Sequence, residues 1–270
     1  MSIYAYQLIN EIENFIPLTN RIVNDPSGLQ IGSRNKKITN VLVSLDVRPN
    51  VIKEAISKNI NFIFSHHPVM FHPAHNLDLS IPQNKMYSDI IKNDIVVYAS
   101  HTNLDTNNPG MNDWIAEKIG LSNINPFIKV KCEDNNYHYL GRFGYLNEGM
   151  SILSFANYLK SKFKLSGIRI ITKNLNKLVK KIAIVGGDGG KFFKQAVNIN
   201  ADLYITGDVY YHTAHDMLAY DLSVIDPGHH IEDTMVSKMA DKIRQWNYDN
   251  NWNLNVIESS INTDPFQFIN

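Results

Sequence analysis

Short runs of β-branched and apolar residues alternate with helical patterns along most of this chain. The strand-like runs cover 41–47, 61–67, 95–101, 182–187, 201–208 and 223–230. The helix-like stretches that follow them cover 50–58, 86–93, 112–121, 191–198, 214–220 and 233–246. This alternation predicts an α/β fold in which right-handed crossovers join the strands of largely parallel or mixed sheets. Ligands of such sheets bind beyond the carboxyl ends of the strands, so chemistry is expected there.

Further elements lie outside this alternation. An opening helix is predicted over 3–15, and Pro17 stops its pattern. In the middle of the chain, 137–146 and 166–172 resemble strands that flank a helical pattern at 151–163.

The chain has 270 residues, of which 44% are hydrophobic, so it can bury a full core as one or two domains. Strand and helix patterns recur in the same order in both halves, which places a boundary near residue 125. We predict an N-terminal α/β lobe over 1–125 and a C-terminal α/β lobe over 126–270.

The charge balance and the cysteine content narrow the function. With 26 Lys and Arg against 26 Asp and Glu, the chain is formally neutral, which disfavours a protein that holds nucleic acid through its phosphates. A single cysteine, Cys132, excludes both an intramolecular disulfide and a multi-cysteine metal site. The N-terminus has no apolar run near the roughly 20 residues of a membrane span. We predict a cytoplasmic protein without a membrane partner, in which any metal is held by imidazole and carboxylate.

Histidines and carboxylates follow predicted strands at separate places in the sequence. The motifs are Ser65-His66-His67-Pro68, His101-Thr102-Asn103-Leu104-Asp105 and Gly228-His229-His230-Ile231-Glu232. Imidazole and carboxylate ligands suit zinc, manganese, iron and nickel. Two metals about 3.5–4 Å apart need bridging carboxylates, for which Asp105 and Glu232 are the candidates. A lone His-His pair is usually a surface feature, so the shared position after strands is what supports a metal site. His72 and His75 follow closely and are interpreted as loop histidines.

Other motifs are weaker. The run Gly186–Lys191 follows a strand and opens a helix, but it lacks the spacing of a P-loop and fits a tight turn better. The segment Thr206-Gly207-Asp208, with His212, can line the same cavity, although a turn and a helix cap explain its first three residues equally well. No serine has the G-x-S-x-G pattern of a nucleophile elbow, which disfavours serine hydrolase chemistry.

Together these motifs resemble the NGG-interacting-factor-like family, whose members are commonly labelled GTP cyclohydrolase 1 type 2 homologues. The segments that carry the resemblance are 27–32, 65–69, 98–105, 207–212 and 228–232. The similarity runs from about residue 5 to residue 245. It implies two similar α/β lobes that face a cleft with a dinuclear metal centre, and assembly as a homohexamer. The short middle segment, roughly 130–175, leaves little room for the inserted domain of some relatives, so no large inserted domain is expected.

The resemblance also implies a ligand set for two divalent metal ions per subunit, with zinc, iron, manganese and nickel as alternatives. The matching residues are His66, His67, Asp105, His229 and Glu232. His101 is then a residue that lines the site. Many family members have an aromatic residue after the Gly-His pair, which favours His229 over His230 as the ligand.

The function is narrowed to two main alternatives. A dinuclear centre is compatible with metal-assisted hydrolysis of a nucleotide or related small molecule, with His101 and His212 as the candidate acid or base. The alternative is a non-catalytic metal-binding chaperone or scaffold that delivers metal to a partner. A third alternative is nucleic-acid binding inside a ring-shaped assembly. It would require basic residues along the inner surface of the ring, which the net charge of zero does not reveal.

Overall fold

The computed structural model describes residues 3–269. Within them the chain forms two compact units. The first unit runs to Leu104 and takes in Cys132–Asn136 and Met235–Thr263. The second unit comprises Asp105–Lys131, Tyr137–Thr234 and the segment from Asp264 onward. The chain crosses between the units several times, so their limits differ from a single division near residue 125.

The helices and strands follow the predicted alternation closely. In chain order they are β1 (Ile3–Tyr4), α1 (Ala5–Phe15), β2 (Gly28–Ile31), β3 (Lys37–Ile38), β4 (Asn40–Ser44), α2 (Pro49–Ser57), β5 (Phe62–Ser65), α3 (Pro82–Lys92), β6 (Val96–Ala99), α4 (Thr102–Thr106), α5 (Met111–Lys118), β7 (Ser122–Lys131), β8 (Tyr137–Ser151), α6 (Ile152–Lys162), β9 (Arg169–Ile171), β10 (Leu178–Ile184), α7 (Phe193–Asn198), β11 (Leu203–Ile205), α8 (Tyr211–Ala219), β12 (Ser223–Asp226), α9 (Thr234–Asp249) and β13 (Asn255–Glu258). Short 3-10 helices cover Leu18–Asn20, Gly190–Phe192 and His229–Asp233.

The main sheet of the first unit has the strand order β13-β4-β5-β6-β2. Strands β13, β4, β5 and β6 are parallel, whereas β2 is antiparallel to β6. Ser44 pairs with Ser65, and Ser65 pairs with Ala99, so β4, β5 and β6 end level with one another. The residues that follow these strands therefore emerge at one edge of the sheet. Apolar side chains of α2 and α3, such as Val51 and Ile90, pack in the core with residues of the sheet.

The sheet of the second unit has the strand order β7-β8-β10-β11-β12-β9. Its central strands β10, β11 and β12 are parallel, and the outer strands are antiparallel to their neighbours. The core includes Ala183, Tyr204 and Val224 from the parallel strands, with Phe193 of α7 and Met217 of α8. As in the first unit, buried apolar residues dominate the parallel strands, as expected for strands that helices cover.

The prediction of an α/β fold with mixed sheets is confirmed. Strands β7 and β13 were not predicted, since both lie at sheet edges and carry few buried side chains. Among residues 3–269, no helix combines the length and the apolar character needed to cross a bilayer.

Candidate metal centre

The turn after β5 carries His66 and His67, and the neighbouring strand end holds its backbone. The amides of both histidines donate to the carbonyl of Leu45, at 3.2 and 3.0 Å. The hydroxyl of Ser65 donates to the carbonyl of His67 at 2.9 Å. His66 is fully buried, and the side chain of His67 is 22% exposed. The loop is thus fixed where β4 and β5 end together.

His66, His67 and His101 in the first unit each have their Nδ1 nitrogen against an oxygen acceptor. Nδ1 of His66 donates to the carbonyl of Ser100 at 2.8 Å, since a carbonyl can only accept. Nδ1 of His67 lies 2.8 Å from the carboxylate of Asp46, and Nδ1 of His101 lies 2.6 Å from that of Asp25. These contacts leave the lone pair on Nε2 in each neutral ring. A metal-binding histidine is oriented in this way, through a carboxylate or carbonyl on its second nitrogen.

The imidazoles of His66, His67 and His101 lie together. One nitrogen from each ring falls within 4.8 Å of the others, a spacing that could hold a metal ion. Their ring centroids are 4.8, 5.2 and 5.7 Å apart. The sequence predicted His66 and His67 as ligands and His101 as a neighbour. The structure makes His101 a third candidate ligand.

The two carboxylates that orient His67 and His101 are held in their ionised form. Burial opposes ionisation of Asp46, but the hydrogen bonds from His67 and Thr263 outweigh it and lower the pKa of Asp46 below its ordinary value. Burial likewise opposes the charge on Asp25, whose pKa is nevertheless lowered by His101 and by the hydrogen bonds from Ser27. Ionised carboxylates accept Nδ1–H strongly and raise the basicity of the opposite nitrogen.

A second group of candidate ligands lies in the second unit. Nε2 of His229 is 3.1 Å from Glu232, and its Nδ1 is 2.6 Å from Asp208. The ligand oxygens of Asp105 and Glu232 lie within 4.8 Å of each other. Burial lowers the pKa of His229, but Glu232 and Asp208 outweigh that effect and raise it to about 10. Because carboxylates this close repel one another, the group favours a positive charge beside it.

Glycines after β10 and β11 make room for these ligands. A Cβ on Gly187 would lie 2.7 Å from Glu232 and 3.0 Å from Nε2 of His229. A Cβ on Gly207 would lie 2.9 Å from the backbone nitrogen of His229. The glycine-rich turn after β10, for which the sequence favoured a tight turn over an anion site, therefore lines the candidate metal site.

Asp226, at the end of β12, joins the two turns that carry Asp208 and His229. Its buried carboxylate accepts hydrogen bonds from the amides of Val209 and Gly228, at 3.0 and 2.9 Å, and from Arg169. Asp208 has a left-handed backbone, with φ of 53°, which the neighbouring hydrogen bonds must hold in place. Asp226 thus fixes the geometry of the His229 side of the site.

Two further predicted residues, His230 and His212, belong to none of these groups among the described residues. His230 follows His229, but within residues 3–269 it belongs to no group of ligand atoms spaced for a metal ion, and this favours His229 in the doublet. His212 is exposed in the first turn of α8, with its ring 5.4 Å from that of Tyr211. Among the described residues His212 also joins no such group.

A family model described as Duf34/NIF3 (NGG1p interacting factor 3) matches residues 3–265. The chain belongs to the Duf34/NIF3 family. The resemblance noted in the sequence is thereby confirmed.

Relatives in the Duf34/NIF3 family match over their full length. A GTP cyclohydrolase 1 type 2 homolog of Streptococcus pneumoniae is 38% identical, with 98% of this chain and 99% of that protein covered. Another of the same name, from Lactococcus lactis, is 38% identical over 95% of this chain and 96% of its own. The crystal structure of a Bacillus cereus protein related to NIF3 superposes with a TM-score of 0.93 at 27% identity, covering both chains completely.

The donor set of this Duf34/NIF3 chain fits a divalent metal ion of the zinc, iron, manganese or nickel kind. It offers imidazole nitrogens and carboxylate oxygens, the histidines are oriented through Nδ1, and the glycine turn leaves space beside His229. Sequence reasoning missed Asp25, Asp46 and Asp226 as residues that orient this set. Asp46 and Asp226 stand at strand ends, as the candidate ligand histidines do, and that position was the available signal. Asp25 lies in a loop, and nothing in the sequence around it indicated this role.

Proposed function

We propose that this Duf34/NIF3 protein is a metal-dependent hydrolase that acts on a nucleotide or a related small molecule. The observation that carries the proposal is the orientation of the histidines: His66, His67, His101 and His229 each present Nδ1 to an oxygen acceptor. Such an arrangement prepares Nε2 for a metal ion. A bound divalent ion in such a site lowers the pKa of water to near neutrality and polarises a carbonyl or phosphoryl group.

The geometry around His101 limits the roles that this residue can take in the proposed reaction. Its Nδ1 is engaged by Asp25, so a single ring nitrogen remains for other roles. His101 can therefore ligate metal or transfer a proton to substrate, but not both through that nitrogen. His212 is the other candidate, and its exposure in the first turn of α8 leaves it accessible to a substrate.

The metal content is the first test of the proposal. Two divalent ions per chain stay a prediction of the family resemblance, with the ligands His66, His67, Asp105, His229 and Glu232. Elemental analysis of protein purified without chelators, with anomalous scattering at the site, counts and identifies the ions. Fewer than one ion per chain under every metal loading contradicts the proposal.

Turnover is the second test. Metal-loaded protein is incubated with a nucleotide panel that begins with GTP, because relatives carry the name GTP cyclohydrolase 1 type 2 homolog. We expect conversion of at least one member, and loss of that conversion in Asp105→Ala with the fold retained by circular dichroism. Asp241→Ala, whose side chain is 73% exposed, is the matched control. No turnover of any nucleotide with any metal argues against a hydrolase.

A non-catalytic metal-binding chaperone or scaffold is the second candidate, and ligand exposure favours it. The side chains of His67, His101 and His229 are 22%, 20% and 36% exposed, so a competing ligand could reach them. This function predicts exchangeable metal of modest affinity without turnover. Titration against chelators of graded affinity separates the two candidates, since metal that no chelator removes is incompatible with delivery.

Self-association as a homohexamer remains a proposal drawn from the family resemblance. Light scattering coupled to size-exclusion chromatography measures it directly. We expect a mass near six times that of the 30.8 kDa chain. A monomer at all concentrations contradicts it.

A further inference from the structure

Phe71 is an exposed aromatic residue beside the histidines of the first unit. Its side chain is 55% exposed, although it follows a loop that begins with His66 and His67. Single exposed apolar residues are common on protein surfaces and carry no meaning by themselves. Phe71 differs from that general case in two ways. Hydrogen bonds hold the backbone before it, and its ring contacts the imidazole of His101.

The backbone before Phe71 is pinned. The carbonyl of Val69 accepts hydrogen bonds from the side chains of Gln83 and Tyr87, at 2.9 and 3.2 Å. The amide of Met70 donates to the side chain of Gln30 at 3.3 Å. Val69 itself is buried against the core of the first unit. Phe71 is therefore presented to solvent by a held loop.

The ring of Phe71 contacts imidazoles edge to face. Its centroid lies 6.0 Å from that of His101, at an interplanar angle of 81°, and 5.1 Å from that of His72, at 85°. Both centroid distances lie in the range that aromatic pairs favour. With more than half of the side chain still exposed, the ring keeps apolar surface available next to the group formed by His66, His67 and His101.

We propose that Phe71 is the stacking face for a planar heteroaromatic ring in the ligand of this metal site. The inference rests on the proposed function and deepens it, because it assigns the substrate to compounds with a purine-like ring in preference to simple sugar phosphates. Every nucleobase has a π-face, so an aromatic side chain binds such rings with little dependence on their edge substituents. Phe71 is a binding residue in this role, and the histidines retain the metal.

Calorimetry of the metal-loaded protein tests the assignment with GMP, AMP and ribose 5-phosphate as probes. We expect the two nucleotides to bind about tenfold or more tightly than ribose 5-phosphate, because loss of one base-stacking contact has an effect of that order. Phe71→Leu should remove the difference, and Phe71→Tyr should retain it. Tyr248→Leu, at an aromatic residue 81% exposed on α9, should behave as the wild type. Metal content is measured for each variant and should not change.

The outcomes separate this inference from the hydrolase proposal. Equal affinity of the wild type for nucleotides and ribose 5-phosphate overturns the inference, as does a Phe71→Leu variant that keeps the preference. A ring preference that depends on Phe71, in a protein that converts no nucleotide, supports the inference and counts against hydrolysis. Turnover of a nucleotide that does not depend on Phe71 supports the hydrolase proposal and overturns the inference.

Discussion

The carboxylate of Asp46 lies 2.8 Å from Nδ1 of His67 and sets the direction in which that imidazole presents its second nitrogen. The other oxygen of Asp46 accepts a hydrogen bond from the hydroxyl of Thr263. Thr263 lies beyond β13, so the last part of the first unit supports a histidine that directly follows β5. Orientation of the candidate ligand thus depends on segments far apart in the chain.

Removal of the Asp46 carboxylate should weaken metal binding without removing a ligand. Asp46→Ala is expected to lower metal affinity about 10- to 100-fold, the usual effect of losing the group that orients a histidine ligand. Thr263→Val should act in the same direction to a smaller extent. Competition with a chromophoric chelator measures both. Asp94→Ala, at a carboxylate whose side chain is 73% exposed, is the control, and equal affinity of Asp46→Ala and wild type would show that Asp46 has no orienting role.

A side chain at position 207 should disturb His229. The added Cβ of Gly207→Ala would meet the backbone nitrogen of His229 at 2.9 Å, and backbone cannot move as a flexible side chain does. We expect a loss of about 1–3 kcal/mol in the free energy of unfolding, as for other overpacked sites, together with weaker metal binding. Gly190→Ala is the matched control, since its Cβ would meet nothing closer than 3.8 Å. Urea denaturation and metal titration should distinguish the two variants; identical behaviour would refute the close approach.

Glu54 of α2 should stabilise the first unit in a pH-dependent way. Its carboxylate accepts hydrogen bonds from Lys58, Ser259 and Ser260, at 2.6 to 3.1 Å. Burial opposes its charge, but these donors outweigh burial and lower the pKa of Glu54 to about 2. A lowered folded-state pKa means that the stabilisation is complete above about pH 4.5, the ordinary value, and is lost as pH falls through about 2.

Glu54→Gln is accordingly expected to cost about 1.5–3 kcal/mol at pH 7, as hydrogen bonds to a charged group do. The difference between variant and wild type should shrink at pH 3.5, because the wild type then loses part of its advantage. Urea denaturation of both metal-free proteins at pH 7, 5 and 3.5 measures it. A difference that is constant across this range would mean that the carboxylate charge contributes nothing.

Arg142 should be essential to the stability of the second unit. Arg142 is 2% exposed, and its guanidinium donates to both oxygens of Asp113, at 2.6 and 2.8 Å, and to the carbonyls of Asn107, Tyr139 and Gly141. Arg142→Met leaves the carboxylate of Asp113 buried without its cation. We expect a loss of about 3–5 kcal/mol in the free energy of unfolding. The double variant Arg142→Met/Asp113→Leu should recover part of it, and a double variant as unstable as the sum of the single changes would contradict the pairing.

Much of the fold could be predicted from local sequence patterns. The runs that form β4, β5, β6, β10, β11 and β12 are short, rich in β-branched and apolar residues, and followed by polar turns. This pattern is typical of strands that are buried under helices. Strand β7 was missed because it pairs only with β8 at the edge of its sheet and exposes much of its surface. Its pairing depends on the partner strand more than on its own residues.

The candidate site could be predicted in part for the same reason. His66 and His67 follow β5 and His229 lies in the turn after β12, where parallel sheets bind ligands. The sequence did not reveal that Asp25 would meet His101, since 76 positions separate them, and Asp25 lies in a loop without a pattern. It also placed His101 as a neighbour of the ligands, whereas the structure brings its ring within ligand distance of His66 and His67.

The sequence by itself determined the α/β class, the family, and the strand ends at which histidines and carboxylates appear, because these follow from local hydrophobic periodicity and from motifs of adjacent residues. Only the tertiary structure decided which oxygen holds each imidazole, which glycines leave room for the ligands, and that Phe71 stands exposed against His101. The hydrogen bond from Thr263 to Asp46, which supports one of these relationships, joins residues 217 positions apart. Such contacts are set by the packing of the whole unit, and no local pattern in the chain encodes them.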